Sequence, residues 1–310
     1  MGGISDSTTV TLDGAEAVKA EVVMQSGRLG ISGGAEALME ADFAYSDPKW
    51  KPEVTYDVED GLGSLKVGPP HGGALLPSNP KYVWQLRMGK DVPLSLSATL
   101  ASGSADLCMA ETRLTELNVS MASGPVKADL TGDQPDLTRV SMKSASGRSS
   151  LTMAGSYPQL DKINLGTASG STDVTLAGEY PVLRKLKIGS ASGRVRVTLS
   201  GSYPVLEKLS VSLASGAADL DLAGLTLDHG EVSVNCVSGK ATVTVPGDAA
   251  VAIRFSAVSG KLVAPGFRKE GKEYVNAAYT AATAESGAEG VLRLSMSTVS
   301  GKLVVQSPEA

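Results

Sequence analysis

Between residues 137 and 245 apolar and polar positions alternate with a period of two, and the alternation restarts at regular intervals. In "SASGRVRVTLSGSYPVLEKLSVSLASG" (190–216), Val195, Val197 and Leu199 share one side of the first run. Equivalent runs place Leu151 and Met153, Val174 and Leu176, Leu220 and Leu222, and Val243 and Val245. A period of two marks a strand with one buried face. The second run, "VLEKLSVSL", carries three inward columns: Leu137, Leu160, Leu183 and Leu206; then Val140, Ile163, Leu186 and Leu209; then Met142, Leu165, Ile188 and Val211.

Glycines punctuate the runs. Ser-Gly pairs end at Gly103, Gly124, Gly147, Gly170, Gly193, Gly216, Gly239, Gly260 and Gly301, in steps of 21, 23, 23, 23, 23, 23, 21 and 41. A second glycine follows at Gly132, Gly155, Gly178, Gly201, Gly224 and Gly247. Tyr157–Pro158, Tyr180–Pro181 and Tyr203–Pro204 come next, with Gln134–Pro135 in the earlier unit. Each unit thus has two corners built from turn-forming residues. Two strands and two corners make one coil of a repeat that cannot bury its apolar face alone.

The expected fold is all-β: a single-chain β-solenoid of about nine coils, with two strands per coil of about 21–23 residues, preceded by a small β cap. Parallel stacking at about 4.8 Å would make the column roughly 40 Å tall. A leucine-rich horseshoe is the rival, since "LEKLSVSLASG" partly fits L-x-x-L-x-L-x-x-N. Ala214 stands where Asn belongs, and the other half of each unit alternates like a strand. Residues 1–95 lack the period and read as the cap; 96–310 read as the repeat domain. The polar run "GFRKEGKEYVNAAYTAATAESGAEG" predicts a loop or hairpin protruding near 266–290.

Composition narrows the chemistry. Hydrophobic residues make up 42% but aromatics only 4%, so the core is aliphatic, and the net charge of −5 carries no basic block. Nucleic-acid binding through a broad positive field is therefore not expected. The two histidines, His71 and His229, have no metal-ligand spacing, and no cofactor is expected. No apolar run is long enough to span a bilayer, so no transmembrane segment is expected, and no signal peptide is visible. Cys108 and Cys236 lie five coils apart, about 24 Å by strand spacing, and are expected to remain free thiols.

Several segments resemble the toast-rack β-solenoid family, which includes the C-terminal domain of bacterial cell-wall-active-antibiotic response proteins and adhesin-like relatives. They are "YVWQLRMGKDVPLSLSATLASGSADL" (82–107) with Trp84 and Val92-Pro93-Leu94, "SGAADLDLAGLTLDHGEVSVNCVSGKATVTVP" (215–246), the closing "STVSGKLVV", and "QSGRLGISGGAEALMEADF", which is similar to the family's cap segment. The chain departs from the family in having Ala-Ser-Gly where Gly-Ala-Gly is frequent. The resemblance implies a bacterial, cell-envelope-associated role without catalytic residues to carry over.

Candidate sites are few. Ser215 and Ser238 lie near Asp228 and His229, but Ser215 belongs to a column repeated in every coil, and one active site needs only one nucleophile. Asp219 and Asp221 alternate outward on one strand and could hold Ca²⁺ or act as an acid/base pair, but nothing else converges there and a solvated strand face is the preferred reading. Thr152, Thr175, Thr198 and Thr244 form a column that suggests ice binding, but Asp129 and Asp221 break it. The remaining feature is basic. Arg139, Lys162, Lys185 and Lys208 share one column, followed by Glu231 and Arg254, and a second set follows the Ser-Gly corner at Arg148, Arg194, Lys240, Lys261 and Lys302. The first four form a candidate stripe for an anionic ligand.

The expected function is a non-enzymatic, envelope-associated binding or scaffold protein of adhesin type. Its partner would be an envelope polymer or a membrane or envelope protein, and its place extracytoplasmic, with the cytoplasmic face of the membrane as the other option. One alternative is a regulator of a cell-envelope stress signalling system acting through protein contact. Another is a glycan-active β-helix enzyme, for which no cluster of acids converges.

Overall fold

A computed structural model describes residues 3–70, 82–227, 230–285 and 290–308. The chain divides into two compact units, Met1–Met153 and Ala154–Ala310. The first contains β1 (Ile4–Val10), β2 (Ala17–Ala35), β3 (Met39–Tyr45), β4 (Glu53–Glu59), β5 (Leu62–Gly68), β6 (Tyr82–Gly89), β7 (Leu94–Cys108), β8 (Leu114–Ser123), β9 (Val126–Asp129) and most of β10 (Arg139–Ser156). The second contains β11 (Lys162–Glu179), β12 (Lys185–Ser202), β13 (Lys208–Thr226), β14 (Gly230–Thr244), β15 (Ala250–Ala257), β16 (Lys261–Val263), β17 (Arg268–Glu270), β18 (Glu273–Val275), α1 (Ala277–Glu285), β19 (Val291–Thr298) and β20 (Lys302–Gln306). The fold is predominantly β, with the repeated parallel pairing of a solenoid.

In the second unit β11, β12, β13 and β14 pair in parallel with like residues side by side: Ile163 beside Leu186, Leu186 beside Leu209, Leu209 beside Val232. Every apolar column read from the sequence is buried. The Ser-Gly positions are not breaks. β11, β12 and β13 each run 18 or 19 residues through the bend, which carries Gly170, Gly193 and Gly216 at φ 128°, 129° and 120°. Only glycine takes this conformation cheaply. Space forbids the alternative as well: a Cβ on Gly193 would lie 1.8 Å from the carbonyl oxygen of Gly170, and one on Gly216 2.0 Å from that of Gly193. Each glycine therefore requires the next. The corner serines bind back to the neighbouring strand, with Ser192 Oγ donating to the Ala168 carbonyl at 3.5 Å and Ser259 Oγ to that of Val299 at 3.1 Å.

The second corner holds the feature that sequence reading missed. Tyr157, Tyr180 and Tyr203 are fully buried and stack face to face, with centroids 4.9 and 4.7 Å apart and interplanar angles of 10° and 7°. Tyr203 Oη donates to the Leu176 carbonyl at 3.1 Å, so a buried hydroxyl is satisfied. In the first unit buried Gln134 takes the corresponding corner, with Nε2 donating to the Met109 carbonyl at 2.8 Å and Oε1 accepting from Leu114 N–H at 3.3 Å. The expected corner at Gly224 is displaced. A bulge puts Gly224 opposite Ser200 and Leu225 opposite Gly201, because β13 carries one extra residue there. Gly247 lies beyond the end of β14 and pairs with no other corner glycine.

Strand order in space departs from chain order in both units. In the first, β2 lies between β5 and β6 on one side and β7 on the other, all in parallel, with Gly27 beside Gly103. The Ser-Gly ladder thus starts at Gly27, within the segment expected to be the cap. Antiparallel β3 and β4 then pair with β6 and β5. In the second, β19 and β20 lie between β14 and the β15–β16 pair. Simple sequential stacking is corrected here: Gly301, not Gly260, is the neighbour of Gly239, and neither Gly260 nor Gly301 has a positive φ. The polar 266–290 segment contains the β17–β18 hairpin, antiparallel to β15, and helix α1, where a hairpin or loop alone was expected. Asn276 ties that segment down, with Nδ2 donating to the Ala249 carbonyl and Oδ1 accepting from Val251 and Tyr279 N–H.

Two measurements test this core. Gly193→Ala is expected to lose at least about 2 kcal/mol of stability, whereas Gly189→Ala, with open space around its Cβ, is expected to stay within about 0.5 kcal/mol. Equal urea midpoints for the two variants would contradict the interlocked corner. The second concerns alkaline pH. Burial pushes Tyr45 and Tyr82 up to about 12 and Tyr180 and Tyr203 higher still, the Asp6 carboxylate adding to the effect at Tyr45. The folded state therefore keeps phenol protons that the unfolded state releases near pH 10. This contribution is complete below pH 10 and is lost as pH rises through 12. The tyrosinate absorbance of these four residues should consequently lag behind a free tyrosine titration and appear together with unfolding.

Candidate functional site

The basic column is a product of strand register. Lys162, Lys185 and Lys208 open β11, β12 and β13 and are direct parallel partners, about 4.8 Å apart. Their side chains point outward because the following residues, Ile163, Leu186 and Leu209, fill the core. Lys187 shares the face of Lys185 and sits between Asn164 and Ser210. Arg139 belongs to the first unit, where its partner is Glu116. Within one unit the structure thus brings together three of the four predicted cations.

Acids bound the patch. Lys208 Nζ lies 4.0 Å from the Glu231 carboxylate, its partner on β14. The residue beyond Glu231 is Arg293, not the expected Arg254, because β19 intervenes. Arg254 instead pairs with Glu273 at 3.1 Å. One residue before the lysines, Arg184 Nε donates to Asp161 at 2.6 Å, and the hydrogen bond and charge of Asp161, with Glu207 beyond, raise the guanidinium pKa further. Arg184 is thereby neutralised locally, whereas Lys208 reaches Glu231 only at 4.0 Å, and the row Lys162, Lys185 and Lys208, with Lys187 on the same face, keeps an excess of positive charge.

The other candidates resolve into local roles. Arg196 lies beside both Asp173, with an ion pair of 3.3 Å, and Asp219. Asp221 Oδ1 accepts from Ala223 N–H at 3.1 Å and braces the bulge. The threonine column is interrupted as expected: Thr198 lies beside Thr175 on one side and Asp221 on the other. Ser215 stands in the corner ladder beside Ser192 and Ser238, while Asp228, His229 and His71 lie outside the described residues. Among the described residues, no group of three or more His, Cys, Asp or Glu could hold a metal ion, and no helix is long and apolar enough to cross a membrane. Cys108 is exposed and Cys236 buried, and both are free.

Residues 3–151 match the N-terminal domain of toast_rack, DUF2154, and residues 107–305 match the Toastrack DUF4097 family. The chain belongs to the toast-rack family. Solved structures similar to it include a "putative cell adhesion protein" from Clostridium sporogenes, 20% identical, covering 99% of this chain and 100% of its own, with a TM-score of 0.41. Another is a "putative adhesin" from Parabacteroides distasonis, 13% identical, covering 99% and 97%, also with a TM-score of 0.41. No curated protein matches the chain.

The cysteines offer a check on the wall geometry. Burial, followed by the Asp106 charge, pushes the Cys108 thiol up, and burial does the same for Cys236. A thiol reagent at neutral pH should modify Cys108 more slowly than a free peptide thiol and reach Cys236 only after unfolding. Two rapidly reacting thiols in the native protein would contradict the placement of Cys236 inside the wall.

Proposed function

We propose that this protein is a non-enzymatic binding or scaffold protein of the cell envelope, adhesin-like in type, which engages an anionic envelope polymer through its lysine ladder. The observation that carries the reading is the in-register row Lys162–Lys185–Lys208. Like charges about 4.8 Å apart repel, and a polyanion relieves that repulsion by bridging them. Membership of the toast-rack family supports the envelope setting. In this reading about nine coils form the working body, residues 1–95 close its first end while lending β2 to the ladder, and the 266–290 excursion elaborates the repeat domain. The protein works outside the cytoplasm, and rigid ladders present repeated side chains at fixed spacing without moving parts.

The test is a triple substitution, Lys162→Gln, Lys185→Gln and Lys208→Gln, assayed for binding to an isolated anionic wall polymer across a salt series. Affinity should fall about tenfold or more and the salt dependence should flatten, since each lost contact removes its share of released counterions. Arg139→Gln, which removes a cation already beside Glu116, should change little. Unaltered binding by the triple variant would overturn the assignment.

A further inference from the structure

The tetrapeptide Val-Ser-Gly-Lys occurs three times, at 237–240, 258–261 and 299–302. The copies are scattered along the chain but adjacent in the fold, because β19 and β20 lie between β14 and the β15–β16 pair. Val299 N–H donates to the Val237 carbonyl at 3.2 Å, and Ser259 N–H to the Val299 carbonyl at 2.8 Å. The valines form a ridge on the outside of the corner, 51%, 46% and 83% exposed at Val237, Val299 and Val258. One Ser-Gly step further, Lys240, Lys302 and Lys261 stand in register and exposed. None of these three has an acidic partner among the described residues. Earlier coils of the same unit carry Ala168, Ala191 and Ala214 at the ridge position and Ser171, Arg194 and Ala217 after the glycine. Branched apolar side chains and an unbroken row of cations thus enter together.

We propose that this corner is a membrane contact that rests on a bilayer surface rich in anionic phospholipid, with the valines in the interfacial layer and the lysines on the phosphates. Three arguments select this occupant. A soluble polyanion engages the lysines but leaves Val258 in water. A neutral apolar peptide covers the valines but leaves three stacked charges uncompensated. The patch is also small: three strands about 4.8 Å apart and four residues of about 3.3 Å each give roughly 190 Å². A stable protein partner needs about 800 Å² per side. A fluid amphipathic surface meets both chemistries and extends beyond the patch, and such contacts are reversible. A groove of about 330 Å³ beside the ridge, lined by the three valines with Cys236, Ala257 and Thr298, gives an acyl chain segment room to enter.

The site is separate from the Lys162–Lys185–Lys208 ladder, which stays intact throughout the test, so either proposal can fail without the other. The full chain is sedimented with vesicles of phosphatidylcholine alone and of phosphatidylcholine and phosphatidylglycerol in a two-to-one ratio. The wild type should partition onto the anionic vesicles at least tenfold more strongly and release at about 1 M salt, where the Debye length is only about 3 Å. Lys240→Gln, Lys302→Gln and Lys261→Gln together should cut that preference about tenfold or more, leaving only what the intact ladder contributes. Val237→Ser, Val299→Ser and Val258→Ser together should weaken vesicle binding about tenfold while leaving binding to soluble polyphosphate unchanged. All six side chains are exposed, and circular dichroism verifies that both variants fold. Equal wild-type partition onto the two vesicle types, or wild-type binding by either triple variant, would overturn the proposal; so would a valine variant that loses polyphosphate and vesicle binding alike.

Discussion

A carbonyl oxygen occupies the space where a side chain would begin. At the Ser-Gly bend the glycine oxygen of one strand lies about 2 Å from the Cβ position of the next, in both units, from Gly27–Gly103–Gly124 to Gly193–Gly216–Gly239. This contact lets the hydrogen-bond ladder continue round the corner without interruption. It also makes the columns obligatory. Once one strand bends there, its neighbour must bend at the same residue, and every inward and outward position on both arms is set in register. Aliphatic columns, tyrosine stack and lysine row all inherit their alignment from it.

The inner columns show how the same register serves different chemistry. Tyrosine at the second corner fills volume and stacks on itself, which supplies in one unit what a sparse aromatic content otherwise withholds. Gln134 satisfies two backbone groups at the equivalent corner of the other unit instead. On the outer face register is indifferent to sign. It places Arg196 between Asp173 and Asp219, where charges alternate, and it places Lys185 between Lys162 and Lys208, where they do not. The first arrangement is self-neutralising. The second leaves a standing repulsion in the free protein, and the proposal of an anion-binding surface rests on that difference.

Both units admit a strand out of chain order. β2 enters between β5–β6 and β7, and β19–β20 between β14 and β15–β16. A strand placed out of chain order must bring a glycine to the corner its neighbours share. Ser26–Gly27 does so at positive φ, and Ser300–Gly301 sets its glycine beside Gly239 without it; Gly301 falls outside the regular rhythm of the repeat.

The sequence by itself determined the all-β repeat, the buried columns, the bends from Gly103 to Gly239 and the alignment of Lys162, Lys185 and Lys208, because each follows from a period of two within the strands and the even spacing of the Ser-Gly pairs. Only the tertiary structure decided what depends on neighbours distant in sequence. Gly27 joins the ladder, the tyrosines turn inward to stack, a bulge displaces Gly224, and Arg293 takes the place expected for Arg254. The sequence places Lys240, Lys261 and Lys302 in one set after the Ser-Gly corner, but in chain order between positions 237 and 302. Parallel pairing with β19 and β20 in the middle made them one surface, since strand insertion is a matter of which edge is open, and the long step to Gly301 marks an irregularity without saying between which strands it falls.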